Sequence, residues 1–259
     1  MPAVILLISL AFTVSCTTRP SHRTAENSPV LTVAAASDLM PVFSEMREKL
    51  RLLESGEIVF SFGSSGALTR QVEEGAPFDI LATASDSYIQ RVKAEGLSLP
   101  GTEIIFARGR LVLWSGSDSE PKISNLKDLT LPAVKRIAIA NPEYAPYGKA
   151  AEEVLRSVSL WDSVQDKLVF GENVIQAFQF AKTGNVDAAL ISGSLVPLSD
   201  RKAISVDSRL HSPINQSVCI LRRTQTESSA REFINTLGST AGKSVLEKYG
   251  FQPLTQFIP

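Results

Sequence analysis

Phe60-Ser61-Phe62-Gly63-Ser64-Ser65-Gly66-Ala67-Leu68-Thr69-Arg70-Gln71-Val72 is the stretch on which the reading of the fold turns. Ile58, Val59 and Phe60 have the apolar character of a buried strand, and the run breaks at Gly63. Small residues follow, and Leu68 and Val72 then carry the spacing of a helix that stops at Gly75. The first turn of a helix has N–H groups without intrahelical partners and about half a positive charge. A strand that delivers serines to such a turn therefore offers an anion both hydroxyls and backbone donors. No Lys or Arg sits in the turn, so an anion held there is bound by neutral groups. Serine in this place is also an ordinary helix cap, and the rest of the chain has to decide between the two roles.

The same junction recurs upstream. Leu31-Thr32-Val33-Ala34-Ala35-Ala36 is a strand pattern, Ser37-Asp38 a cap signal, and Leu39, Val42, Phe43, Met46 and Leu50 the apolar face of a helix. Asp38 is expected to be a first-turn acid facing solvent. Downstream, Asp79 to Thr83 is a third strand, followed by a helix through Tyr88, Ile89 and Val92. Strand and helix alternating in this way predict a parallel sheet covered on both faces, with ligands at the carboxyl ends of its strands.

A second series occupies roughly 111–205. Its strands are Leu111–Trp114, Arg136–Ala140, Leu168–Phe170 and Asp187–Ser192. Two of its junctions carry small or polar residues, Ala145-Pro146-Tyr147-Gly148 and Asn173-Val174. The chain finishes with a strand at Ser217–Leu221 and helices near Glu227–Leu237 and Thr240–Tyr249. These lack a complete sheet of their own and are expected to return to the first series. The predicted architecture is an α/β clamshell. Its first lobe is 30–110 plus 212–259, its second is 111–211, each is a mainly parallel sheet flanked by helices, and hinges lie near Arg110 and Pro213. If the lobes close, the hydroxyls and backbone N–H groups of the junctions at Ser37 and Ser64-Ser65-Gly66 meet those of Ala145-Pro146-Tyr147-Gly148 and Asn173-Val174, a cage suited to a small oxyanion.

Composition bounds the alternatives. The chain has 259 residues, 44% of them hydrophobic and 20% charged, which suits a globular protein with real cores. A net charge of −1 argues against a general nucleic-acid binder. Cys16, Cys219, His22 and His211 are isolated from one another, so no cation site and no disulfide framework is expected. Cys219, in the apolar run Val218–Leu221, reads as a buried structural thiol. There is no P-loop, no G-x-S-x-G elbow and no histidine beside a serine-bearing turn, so catalysis has little to work with. No enzymatic activity and no cofactor are expected.

Residues 1–16 read as a signal peptide. The apolar run Val4–Val14 is about half the length of a membrane span, although no Lys or Arg precedes it. Thr13-Val14-Ser15-Cys16 resembles a lipoprotein cleavage site, with Cys16 as the lipidated residue; cleavage near Ala25 is the alternative. Residues 17–29 read as a flexible tether. The expected location is periplasmic or extracytoplasmic, with anchoring through Cys16.

Seven motifs in order extend the reading. They are Ala34-Ala35-Ala36-Ser37, Phe62–Gln71, Gly75-Ala76-Pro77-Phe78-Asp79, Asn141–Ala151, Gly171–Ala177, Thr183–Ala188 and Lys248-Tyr249-Gly250-Phe251. Together they resemble the molybdate-binding proteins of ABC transporters, a family with the type II periplasmic-binding fold, and they cover essentially everything from residue 30 on. The resemblance implies capture of molybdate, and of tungstate by its similar size, for delivery to a membrane permease by a monomer. It implies hydrogen bonds to the anion from the hydroxyl and N–H of Ser37 and Ser65 and from the N–H of Tyr147 and Val174. Ser64 is a possible further contact. Ser192 stands where some family members place a tyrosine and is too short to reach the same point. Either the Tyr147 hydroxyl, a water or nothing then replaces that donor.

Three rival readings remain. A binder of sulfate or phosphate is the nearest, phosphate being favoured if Asp38 entered the cavity as an acceptor. A clamshell enzyme resembling hydroxymethylbilane synthase would need a cofactor on Cys219. The sensing half of a transcription factor would need a DNA-binding helix pair that the sequence lacks.

Overall fold

The computed structural model describes residues 30–49, 56–116, 122–200 and 202–258. The signal peptide, Cys16 and the tether lie outside them. Among the described residues, eleven strands fall into two sheets. The first sheet contains β1 (Val30–Ala36), β2 (Glu57–Gly63), β3 (Ile80–Thr83), β4 (Ile104–Arg108), β10 (Asn215–Ile220) and β11 (Gln252–Ile258), in the order β11-β4-β10-β3-β1-β2. The second contains β5 (Leu111–Trp114), β6 (Ile137–Ala140), β7 (Leu168–Gly171), β8 (Ala188–Ser192) and β9 (Ile204–Ser205), in the order β7-β6-β8-β5-β9.

Each sheet has a parallel core, β2-β1-β3 in one and β7-β6-β8 in the other. The crossover helices are α1 (Met40–Lys49), α2 (Ser65–Glu73) and α3 (Asp86–Ala94) in the first lobe. In the second they are α4 (Pro146–Ser157), the short α5 (Trp161–Val164) and α6 (Val174–Lys182). The strands are short and almost wholly apolar because helices cover both faces; β3 and β6 are buried at every position. Beyond the parallel cores each sheet is extended by antiparallel strands: β10, β4 and β11 in the first, β5 and β9 in the second.

The antiparallel strands carry the connection between lobes. The chain leaves the first sheet at Arg108, enters the second at Leu111, and returns from β9 to β10. The return strand lies inside the first sheet, between β3 and β4, with α7 (Glu227–Gly238) and α8 (Thr240–Lys248) behind it. Phe233 of α7 meets Phe43 of α1 edge-on, with ring centroids 5.2 Å apart, which ties the C-terminal helices into the first core. Cys219 in β10 is fully buried, and desolvation pushes its thiol up to about 12.

Candidate functional site

Five strand ends place their following turns around one cavity. From the first lobe come Ser37 and Asp38 after β1, Ser64 and Ser65 after β2, and Ala84 after β3. From the second come Ala145, Pro146 and Tyr147 after β6 and Val174 after β7. The space is about 190 Å³, counting the part open to solvent, and no Lys, Arg or His lines it.

Each junction is built to leave donors free. Ser64 also lines the cavity and is the N-cap of α2, its Oγ accepting from Ala67 N–H at 3.4 Å. Ser65, 1% exposed, is the first residue of α2. Its Oγ accepts from Ala84 N–H at 3.0 Å. With that lone pair engaged, the hydroxyl proton is left to donate. Ser37 opens a single turn of 3-10 helix, and its hydroxyl has no partner among the described residues. Pro146 occupies the first position of α4, where its missing N–H costs nothing, and Tyr147 follows with its N–H in the unpaired first turn. Gly148 lets that turn sit against the end of β6: a Cβ there would overlap Ala140 O. Asn173 caps α6 through Gln176 N–H at 3.1 Å, which leaves the N–H of Val174 free at the tip.

Three expectations are corrected or resolved here. Asp38 does not face solvent; it is 1% exposed. Its Oδ2 accepts from Gln216 Nε2 of β10 at 2.9 Å, and its main-chain carbonyl accepts from Ser194 Oγ of the other lobe at 2.7 Å. Desolvation raises its carboxyl to about 7, against the opposing pull of the Tyr147 hydroxyl, its own backbone N–H and Gln216. The burial comes from β10 and from the opposing lobe, neither of which is adjacent in sequence. Ser192, the possible extra donor, does not line the cavity. It is fully buried and caps the turn Gly193–Leu195, its Oγ 2.8 Å from Ser194 Oγ.

The Tyr147 hydroxyl is no substitute either. It reaches back to the hinge, where a Cβ on Gly109 would overlap it. There it stands beside Asp38 and Ser192 without meeting full hydrogen-bond geometry with either. Burial, and then the neighbouring Asp38 charge, push its ionisation well above the usual phenol range.

Sequence reasoning missed Ala84, whose N–H fixes the Ser65 hydroxyl, and Tyr144, whose carbonyl accepts from Gly66 N–H at 2.9 Å across the cleft. Ala84 could have been found, because it stands at the end of a predicted strand as Ser37 and Ser65 do. Nothing in the sequence marks a backbone carbonyl.

The family of bacterial extracellular solute-binding proteins matches residues 31–252. This chain belongs to that family. The "Molybdate-binding protein ModA" of Azotobacter vinelandii is 30% identical over 225 residues, covering 85% of this chain and 88% of the relative. The "Putative ABC transporter substrate-binding lipoprotein YvgL" of Bacillus subtilis is 29% identical over 255 residues, 95% of both chains. Among solved structures, the Azotobacter vinelandii periplasmic molybdate-binding protein superposes with a TM-score of 0.81 at 26% identity. That match covers 87% of this chain and all of the other. The two-lobed type II architecture read from the sequence is thus the family's own fold, and membership places the protein outside the cytoplasm as the binding component of an ABC transporter. No helix among the described residues is long and apolar enough to cross a membrane.

Proposed function

We propose that this protein captures molybdate between its lobes and hands it to an ABC permease, with tungstate accepted as well. The observation that carries the reading is the cavity wall: unpaired first-turn N–H groups and two serine hydroxyls, drawn from both lobes, with no cation among them. Ser37 and Ser65 donate through hydroxyl and N–H, Tyr147 and Val174 through N–H. Hydrogen bonds to a charged acceptor contribute on the order of 1.5–3 kcal/mol each, so half a dozen outweigh the cost of closing the lobes. Ser64 contributes as a cap. The relatives named for molybdate support the choice of anion. The lipoprotein named among them supports anchoring through Cys16.

The protein acts as a monomer without cofactor or catalytic step. The cavity lining is made almost wholly of donors, and the Oδ2 of its one carboxyl group, Asp38, accepts from Gln216. That favours an anion carrying no proton over hydrogen phosphate. Asp38 is nevertheless a cavity residue, and it keeps phosphate as the second reading. Titration calorimetry of protein lacking residues 1–29 with molybdate, tungstate, sulfate and phosphate decides. Tight binding of the first two is expected, and binding of sulfate or phosphate without molybdate refutes the proposal.

A further inference from the structure

We propose that the backbone contact between Gly66 and Tyr144 is the stop that sets how closely the lobes approach, and thereby selects the oxyanion by size. The inference rests on the binding function proposed above for its ligand, but its geometry stands apart from it. Gly66 is the second residue of α2 in the first lobe; Tyr144 precedes α4 in the second. Gly66 N–H donates to Tyr144 O at 2.9 Å. A Cβ on Gly66 would lie 2.7 Å from Tyr144 Cβ, 2.9 Å from its carbonyl oxygen and 3.0 Å from its Cα. All of these are main-chain atoms or the first side-chain carbon, so no rotamer change relieves the overlap.

The first lobe by itself gives no reason for glycine here. Gly66 is helical and is not among the glycines with positive φ. Alanine is the better helix former at such a position. The reason lies on the opposite lobe.

Both partners adjoin the cavity. Ser65 precedes Gly66 and Ala145 follows Tyr144, and each lines the anion space. A second bridge, Ser194 Oγ to Asp38 O, joins the lobes next to Ser37. That bridge ends in a hydroxyl rotor and can adjust, whereas the Gly66 stop is backbone against backbone and cannot. The span between the donors of the two lobes is therefore fixed by main chain. An oxyanion smaller than the span leaves donors out of reach, and its affinity falls.

Gly66→Ala tests this. Bringing the nearest pair from 2.7 Å to ordinary contact at 3.4 Å requires the lobes to part by about 0.7 Å at this edge. Competition titrations with sulfate, selenate, chromate, molybdate and tungstate, in order of increasing size, should show losses in the variant. The loss for chromate is expected to exceed that for molybdate and tungstate at least five-fold. The urea midpoint of the unliganded variant should be unchanged or raised, because alanine favours the helix. Hydrogen exchange of the residue-66 amide gives a readout that needs no ligand. It is expected to be protected in the wild type, unusually for a first-turn N–H, and to exchange freely in the variant.

Equal losses across the series, no loss, or a residue-66 amide still protected in Gly66→Ala would overturn the stop. Wild-type protein that binds none of the five anions would instead overturn the proposed function, while amide exchange would still judge the contact.

Discussion

Asp38→Asn isolates the cost of a buried acid beside the proposed anion site. The carboxyl is 1% exposed, and burial raises it from 3.8 to about 7. A carboxyl whose folded value lies above its unfolded value holds its proton more tightly in the native state. Its contribution to stability is complete below the unfolded value and is lost as pH rises through the folded one. At 1.36 kcal/mol per pH unit, ionising Asp38 in the fold costs on the order of 4 kcal/mol by pH 8. About 2.5 kcal/mol of that falls between pH 5 and pH 8. Asparagine has the same shape and does not titrate. Gln216 can turn its amide to meet it, because its Oε1 has no partner among the described residues of the wild type. Urea unfolding of unliganded wild type and variant at pH 5 and pH 8 gives four free energies. The variant's advantage should be larger at pH 8 by about 2.5 kcal/mol, and taking the difference of differences cancels every other titrating group. An advantage that changes by less than about 1 kcal/mol between the two pH values would refute the account of a raised carboxyl.

Three further outcomes follow from the same geometry. Ser65→Ala should weaken molybdate binding by about 1–3 kcal/mol, since it removes one donor and orphans Ala84 N–H; calorimetry showing unchanged affinity would remove Ser65 from the site. Ser192→Ala should leave affinity unchanged, because its hydroxyl is spent on Ser194, and a loss above tenfold would place it back among the ligands. Gly148→Ala should lower the thermal midpoint sharply whether or not ligand is present, as its Cβ has no room against Ala140; a variant melting with the wild type would show that α4 can shift at little cost.

The parallel cores and all four strand-to-helix junctions proposed to hold the anion could be read from the sequence because each is local. A strand, a small polar residue and a helix start lie within a dozen positions, and the periodicity marks them. The antiparallel strands were harder. β4 pairs only with strands more than a hundred residues further on, so nothing local marks it, and β11 carries Pro253, which an edge strand tolerates but which hides the pattern. Asp38 was misread because acids in a first helical turn usually meet water, and its burial is supplied by Gln216 and Ser194, more than 150 residues away in sequence. Ser192 sits at a strand end as Ser37 does, yet its hydroxyl folds back on its own turn. Whether a serine caps or donates outward is decided by which way the turn opens, and residue type does not encode that.

The position of β10 between β3 and β4 has a consequence for how the chain is made. The second lobe is one continuous stretch, with every strand between Leu111 and Ser205, and can complete its sheet as soon as that stretch is available. The first lobe cannot. Until residues 215–220 arrive, β3 and β4 have no strand to join them, although both were synthesised more than a hundred residues earlier. Joining segments so far apart in the chain is slow, and an unfinished sheet edge persists meanwhile. For a protein bound for the outside of the cell, an N-terminal half that stays incomplete until the end is still threadable through a membrane pore. Pulsed hydrogen exchange during refolding should accordingly protect β5–β8 before β1–β3.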